Sequence, residues 1–259
     1  MELDDAYQNA AYIPGGDRYP DRWANAAETF RGSALCELDL IYGTTARQRF
    51  DLFHPARLSK GLLVFVHGGY WLRFDKSYWS HLAAGPLAHG WTVAMPSYDL
   101  CPQVRITEIG QQVVKAIATV ADRVPGPIRL VGHSAGGHLV ARASVPHHSH
   151  GWQERVEKVV SVSPVADLAP LMRTSMNKDL QIEAAEALAE SPVRLPLPRF
   201  ARTVWVGADE RPVFLEQASG LAEHWGCPCV VTEGENHFSV IDRLEDADSP
   251  LTAEVLSET

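Results

Sequence analysis

The pentapeptide GHSAG at residues 132–136 constrains this chain more than any other part of its sequence. An apolar, β-branched run (128–131) precedes it and a helix-forming stretch (135–144) follows it, which places Ser134 at a sharp strand-to-helix turn. Glycines on both sides relieve the clashes that such a turn creates with its neighbours. The hydroxyl would stand clear of the sheet at a helix N-terminus, where the positive dipole favours developing negative charge. We therefore predict that Ser134 is a nucleophile.

The rest of the chain alternates short apolar runs with helix-like stretches, which is typical of a largely parallel sheet covered on both faces. Eight runs are predicted as strands, and they are 38–42, 49–53, 62–66, 91–95, 128–131, 159–162, 203–206 and 229–232. The first two alternate polar with apolar residues and predict an antiparallel edge hairpin, whereas 62–66 is apolar throughout and predicts a buried central strand. Helices are predicted at 76–88, 107–123, 135–144, 179–189 and 212–224.

The predicted organisation is one α/β domain covering residues 1–259, because no repeat, low-complexity tract or linker divides the chain. Residues 1–34 are rich in aromatic side chains, and we expect them to form an arm that packs on the body or at the site entrance. Residues 164–198 lack a strand pattern and are predicted to be a small lid insertion over the site.

The composition and charge of the chain argue against two classes of binding partner. The net charge of -9 argues against nucleic acid or an anionic membrane as a partner. No apolar run approaches the roughly 20 residues that span a bilayer, and the acidic start lacks the apolar stretch of a signal peptide, so a cytoplasmic protein is expected. A homo-oligomer is compatible with the sequence.

No metal or other cofactor is predicted. The four cysteines lack the spacing of a redox turn or a zinc site. The histidines at 147, 148 and 150 resemble a metal cluster, but they lie in a polar loop without a set of carboxylates.

A second glycine motif, HGGYW at residues 67–71, follows the most apolar strand. Glycine allows backbone N–H groups to turn toward an oxyanion and to approach it closely. The N–H groups of Gly68, Gly69 and Ala135 are therefore predicted to form an oxyanion hole, while His67 is expected to hold the loop. The alternative for the glycines is an ordinary strand-end turn.

A serine hydroxyl needs a base, and the base needs an acid that orients it. Asp209 and His237 each follow a predicted strand, at the edge of the sheet where Ser134 lies. We predict His237 as the base and Asp209 as the acid. Glu210 is the nearest rival for the acid, and Asp242 and Glu235 are weaker ones.

The motifs quoted above, together with YDLCP at 98–102, GHSAGGH at 132–138 and GADE at 207–210, resemble the kynurenine formamidase (arylformamidase) branch of the hormone-sensitive-lipase-like α/β hydrolases. The resemblance covers nearly the whole chain, except that residues 167–198 match no particular specificity. It implies an α/β-hydrolase fold with an eight-stranded, mostly parallel sheet flanked by helices. It also implies hydrolysis of N-formylkynurenine, often with side activity on short aryl esters.

The expected substrate is thus a small acyl ester or formamide. Tyr70 and Trp71 are candidates for an aromatic substrate-binding wall, with core packing as the alternative. Two other functions remain: a carboxylesterase of short acyl esters, because the same residues serve both reactions, and a noncatalytic member that only binds a ligand.

Overall fold

A computed structural model describes residues 1–145 and 151–258 of the chain. Its eight strands form one sheet, and they are β1 (Cys36–Ile41), β2 (Arg49–Phe53), β3 (Leu62–Val66), β4 (Thr92–Pro96), β5 (Ile128–His133), β6 (Val156–Val162), β7 (Ala201–Gly207) and β8 (Cys229–Thr232). Their order across the sheet is β1-β2-β4-β3-β5-β6-β7-β8. The predicted α/β-hydrolase architecture is confirmed, including the antiparallel hairpin at one edge.

Helices cover both faces of the sheet. The α-helices are α1 (Tyr19–Arg31), α2 (Ala84–Ala88), α3 (Ile106–Ala121), α4 (Ala135–Ala143), α5 (Asn177–Leu180), α6 (Ala184–Glu190), α7 (Pro212–Trp225) and α8 (Pro250–Leu256). Short 3-10 helices are Ala10–Tyr12, Gly16–Arg18, Lys76–Tyr78, Ser80–Ala83, Gly151–Arg155, Ala169–Arg173, Pro192–Arg194 and Val240–Glu245. In the described part of the chain, no helix is long and apolar enough to cross a membrane.

The common direction of the parallel strands determines where the site lies. From β4 across to β8 every neighbouring pair is parallel, so the carboxyl ends of these strands meet at one edge of the sheet. The strands β3, β4 and β5 are fully buried because every residue in them is apolar or packed between the two helical layers. This rigid centre holds the loops that follow β3, β5, β7 and β8.

The N-terminal segment (residues 1–18) packs on the loops around that edge. Tyr7 is buried in the core, and its ring lies 5.9 Å from that of Phe214. The backbone N–H of Leu3 donates to the carbonyl of Arg173 at 3.3 Å. The segment is therefore part of the folded body.

The region 164–198 contains α5, α6 and two 3-10 helices, and several of its apolar side chains, including Leu171 and Leu180, are buried in the main core. Of this region, Ser175 and Met176 reach the cavity described below. Its action as a lid stays a prediction.

Candidate active site

Ser134 lies at the turn between β5 and α4, as its motif predicts. Its φ is 56° and its ψ is -119°, a conformation that side-chain-bearing residues rarely adopt. The backbone N–H of Ser134 donates to the carbonyl of Val162 on β6 at 2.8 Å, which fixes the turn against the neighbouring strand. The hydroxyl is thereby held above the carboxyl end of the sheet, at the start of α4.

The glycines of this turn are required by close backbone approach. A Cβ on Gly132 would lie 2.1 Å from the carbonyl oxygen of Gly136, and one on Gly136 would lie 2.0 Å from that of Val66. Atoms cannot approach this closely, so any larger residue would push α4 away from β3 and β5. The strained serine and the bare glycines belong to a single tightly packed turn.

Three side chains form a hydrogen-bonded row at the edge of the sheet. Oγ of Ser134 lies 3.1 Å from Nε2 of His237, and Nδ1 of His237 lies 2.6 Å from Oε2 of Glu210. A carboxylate only accepts hydrogen bonds. The N–H at Nδ1 therefore donates a hydrogen bond to Glu210, and Nε2 accepts one from the serine hydroxyl. This order of groups activates a hydroxyl as a nucleophile.

The structure corrects the prediction that Asp209 is the acid in this row. Asp209 is exposed, whereas the adjacent Glu210 is buried and turned toward His237. The reason is the turn after β7: the N–H of Asp209 donates to the carbonyl of Glu235 at 2.9 Å, which directs the next side chain inward. Sequence reasoning named Glu210 as the nearest rival but had no signal for the direction of the turn.

The two weaker rivals are engaged elsewhere. Asp242 accepts a hydrogen bond from Nε1 of Trp23 at 3.0 Å, and burial raises the pKa of its carboxyl to about 6. Glu235 pairs with Arg243. Both of these carboxylates thus have partners of their own, and the partner of His237 is Glu210.

The second oxygen of Glu210 is held by two further donors. Oε1 accepts from the hydroxyl of Ser163 at 2.5 Å and from the N–H of Gly207 at 2.9 Å. Ser163 follows β6 with a φ of 47°, and this left-handed backbone turns its hydroxyl toward the carboxylate. Sequence reasoning missed Ser163; its place after β6, level with the serine turn after β5, is the signal that could have found it.

His133 contacts both the backbone and the ring of His237. Its Nε2 donates to the carbonyl oxygen of His237 at 2.8 Å, and the two rings lie 4.9 Å apart. Burial, together with the charge of His237, lowers the pKa of His133 well below its ordinary value. A neutral His133 therefore positions His237 without adding a second positive charge to the site.

The loop after β3 brings Gly68 and Gly69 to the same cavity as Ser134. A Cβ on Gly68 would lie 2.9 Å from Cβ of Ser134, and Gly69 has a φ of 109° that favours glycine. Within the described residues, the N–H groups of Gly68, Gly69 and Ala135 have no hydrogen-bond acceptor. These groups are free to donate to an oxyanion beside Ser134.

His67 holds this loop. Its Nδ1 donates to the carbonyl of Gly68 at 2.8 Å, and its ring stacks on that of Tyr98 at 4.4 Å. The Tyr98 hydroxyl donates to the His67 carbonyl at 2.8 Å. Burial lowers the pKa of His67 to about 4, so the ring is neutral at ordinary pH.

A cavity of about 550 Å³ opens onto Ser134 and His237. Its aromatic wall consists of Trp23, Tyr70, Phe74, Trp79 and Phe238. The N-terminal segment supplies a further wall, which includes Tyr7 and Asn9.

The two aromatic candidates for substrate binding are placed differently. Tyr70 lines the cavity, and its hydroxyl donates to the carbonyl of Tyr7 at 2.7 Å. Trp71 does not line it: the side chain is completely buried and contacts His138 edge-on, with the ring centres 5.0 Å apart. The prediction of a direct substrate contact is therefore wrong for Trp71, because its side chain points into the core behind the loop.

Residues 1–145 and 151–258 contain no group of three or more histidine, cysteine, aspartate or glutamate side chains that could hold a metal ion. The histidines at 147, 148 and 150 lie outside the described residues. The four cysteines are free thiols.

Fold and site together define a hydrolase, and comparison with known proteins gives the family. The sequence profile of the alpha/beta hydrolase fold family matches residues 63–226, and the chain belongs to this family. Its predicted resemblance to the kynurenine formamidases is also confirmed. The kynurenine formamidase of Salmo salar is 29% identical, over 87% of this chain and 82% of its own length. That of Danio rerio is 26% identical, over 88% and 83%.

Two solved structures are also similar. A protein from Silicibacter sp. TM1040 described as a "putative thioesterase" is 52% identical, with a TM-score of 0.98 over 99% of this chain and 100% of that one. An esterase of Pyrobaculum calidifontis is 18% identical, with a TM-score of 0.71 over 92% of each chain, and shares the fold.

Proposed function

We propose that this hydrolase removes a small acyl group, formyl foremost, from an aryl amide such as N-formylkynurenine through an acyl-enzyme on Ser134. The observation that carries the proposal is the row formed by Ser134, His237 and Glu210, with distances of 3.1 Å and 2.6 Å between successive groups. The row ends in a cavity large enough for a single-ring aromatic substrate.

In the first half-reaction, Oγ of Ser134 attacks the acyl carbon while Nε2 of His237 takes the hydroxyl proton. The carbonyl oxygen becomes an oxyanion, to which the N–H groups of Gly68, Gly69 and Ala135 donate. His237 then gives its proton to the leaving nitrogen, the carbon–nitrogen bond breaks, and the arylamine departs.

In the second half-reaction, a water molecule attacks the acyl-enzyme and passes a proton to His237. The carbon–oxygen bond to Ser134 breaks, His237 returns the proton to Oγ, and the carboxylic acid leaves. Glu210 accepts the hydrogen bond from Nδ1 of His237 and stabilises the positive ring in both transition states.

Two observations support an aryl substrate with a small acyl group. Trp23, Tyr70 and Phe74 on the cavity wall offer apolar faces to an aromatic ring. The kynurenine formamidases of Salmo salar and Danio rerio align over more than four-fifths of this chain.

A carboxylesterase of short acyl esters is the second candidate. The row at Ser134 and the N–H groups beside it act on a carbonyl carbon whether nitrogen, oxygen or sulfur leaves. The name of the Silicibacter protein makes a thioester a third leaving-group class worth measuring.

The test is kcat/KM for N-formylkynurenine beside p-nitrophenyl acetate, p-nitrophenyl butyrate and acetyl thiocholine. The proposal expects the formamide to be preferred over all three. A strong preference for either p-nitrophenyl ester would establish the carboxylesterase instead, and a preference for acetyl thiocholine would establish a thioesterase.

Ser134→Ala separates catalysis from binding. The variant should fold normally and lose turnover of every substrate, because no hydroxyl remains to attack. A fluorophosphonate probe should label the parent protein and leave the variant unlabelled. Labelling of neither protein would support a noncatalytic binding function.

A further inference from the structure

The cavity at Ser134 carries one unpaired positive charge. Arg73 lines this cavity, and it is the single lysine or arginine among the described residues that do so. It is exposed, and its side chain makes no hydrogen bond or ion pair within the described part of the chain. Because the net charge of the protein is -9, a free cation at this place does not reflect a general excess of positive charge.

The backbone of Arg73 belongs to the loop that carries two of the predicted oxyanion N–H groups. Its own N–H donates to the carbonyl of Gly69 at 3.1 Å, which closes a turn of the loop. Its carbonyl oxygen packs against Gly69 so closely that a Cβ there would lie 2.5 Å away. The side chain of Arg73 therefore starts from a fixed point, one turn after Gly69.

Tyr70 shows on which wall of the cavity the guanidinium acts. Burial raises the pKa of the Tyr70 hydroxyl well above its ordinary value, and the positive charge of Arg73 acts against that rise. Tyr70 lines the cavity, and its hydroxyl donates to the carbonyl of Tyr7, another residue of the lining, at 2.7 Å. The charge of Arg73 is therefore felt at the wall that Tyr7 and Tyr70 form.

Two carboxylates also line the cavity, and neither neutralises this cation by contact. Asp4 accepts a hydrogen bond from the N–H of Ser175 at 2.5 Å. Asp17 is exposed, and no ion pair within the described residues joins it to Arg73. The guanidinium thus remains available to an anionic group of a bound molecule.

We infer that Arg73 is a specificity residue whose guanidinium binds a carboxylate on the leaving group of the substrate. The inference rests on the proposed acyl transfer at Ser134 and names the chemical class that this site selects, aryl esters and amides with an anionic substituent. A guanidinium offers a carboxylate two parallel N–H donors. A formyl or acetyl group has no room for a carboxylate, so the charge belongs to the aromatic leaving group.

The experiment compares 3- and 4-carboxyphenyl acetate with the corresponding carbamoylphenyl acetates, which have nearly the same shape but no charge. For each pair, the ratio of the two kcat/KM values is measured in the parent protein and in Arg73→Gln. Glutamine removes the charge, so the ratio should fall about tenfold for at least one isomer, the size expected of a partly exposed charge-assisted contact. Ratios within about twofold of the parent for both isomers overturn the inference.

Arg57→Gln is the matched control, because it makes the same change in net charge far from the site. Arg57 is exposed in the loop before β3, at the opposite edge of the sheet, and does not line the cavity. Its ratios should equal those of the parent, and an equal fall in both variants overturns the inference. Neither pair contains a formamide, so failure of the proposed function is measured separately, with N-formylkynurenine.

Added salt gives an independent measurement. An exposed ion pair is screened, so the difference in ratio between the parent protein and Arg73→Gln should shrink as NaCl rises from about 0.02 M to about 0.5 M. A difference that persists at high salt contradicts an ion pair at Arg73 and overturns the inference.

Discussion

Nδ1 of His237 lies 2.6 Å from Oε2 of Glu210, and both side chains are buried. The carboxylate is not free to turn, because Ser163 and the backbone of Gly207 hold its other oxygen. The imidazole is therefore oriented by a group that is itself fixed by two donors. Catalysis at Ser134 should depend on Glu210 far more than on the neighbouring carboxylate.

Glu210→Gln should lower kcat by about 10³- to 10⁴-fold with little change in KM. The glutamine keeps its carbonyl oxygen on Ser163 and Gly207, so its NH₂ group faces His237 and forces the ring into the wrong tautomer. Steady-state kinetics with p-nitrophenyl acetate measure the effect. Asp209→Asn is the control and should stay within about twofold of the parent kcat, because an exposed side chain without a partner contributes little. A large loss of kcat in Asp209→Asn and a small one in Glu210→Gln would show that Asp209 is the acid.

Replacement of Ser134 should reveal the strain at the turn. Glycine adopts the observed φ of 56° without cost, whereas alanine does not. We expect Ser134→Gly to be more stable than Ser134→Ala by about 1 kcal/mol, after the larger unfolded-state entropy of glycine is subtracted. Urea unfolding of the two inactive variants measures the difference. Equal midpoints would show that the serine backbone is not strained.

Gly132→Ala should destabilise the protein by about 3 kcal/mol or more, because the new methyl group would lie 2.1 Å from the carbonyl of Gly136. Gly220→Ala in α7 is the matched control. Apart from its chain neighbours and the backbone of its own helix, no atom lies within 4 Å of a Cβ at that position, so the variant should be more stable by about 0.5–1 kcal/mol. Thermal unfolding should move in opposite directions for the two variants. A shift in the same direction would contradict the packing described for the turn.

Acid should destabilise the folded protein through its buried histidines. Burial lowers the pKa of His81 to about 4, and the positive charges of Arg22 and Arg31 add to the effect. Below about pH 6.5 His81 binds a proton in the unfolded chain but stays neutral in the folded protein. Its contribution to the free energy of unfolding is therefore fully present above that pH and is lost progressively toward pH 4. The loss is up to about 1.4 kcal/mol per pH unit for this one group.

The measurement is the free energy of unfolding in urea between about pH 7 and pH 4.5 for the parent protein and His81→Gln. The variant should lose stability less steeply, because glutamine takes up no proton. A steep loss should remain, since burial also lowers the pKa of His67 and His138 to about 4. Identical slopes would show that His81 is protonated equally in both states.

The sequence predicted the sheet well, because the strands differ sharply in composition from what surrounds them. The run 62–66 is apolar at every position and forms the buried β3, whereas the alternating runs 38–42 and 49–53 correspond to the edge hairpin. Likewise, residues Ile109, Val113 and Ile117 recur on one face of α3 and are all buried.

The acid was harder to predict, since Asp209 and Glu210 are adjacent carboxylates after the same strand. Which of them points inward depends on the hydrogen bond from the N–H of Asp209 to Glu235, a residue 26 positions later in the chain. Trp71 illustrates the same limit. A tryptophan beside glycines suits a binding wall and a core equally, and only the path of the loop, where Tyr70 and Trp71 both have positive φ, decides between them.

The cavity at Ser134 is lined by residues from inside and outside the range that the family profile covers. The family profile covers residues 63–226, whereas Asn9 and Tyr7 lie far upstream of it. Exchange of the first 18 residues between relatives would thus replace one wall of the cavity and leave the turn at Ser134, the sheet and their close backbone contacts untouched. Selectivity would in this way change with a segment that lies outside the tightly packed turn at Gly132 and Gly136, provided that the buried Tyr7 is kept.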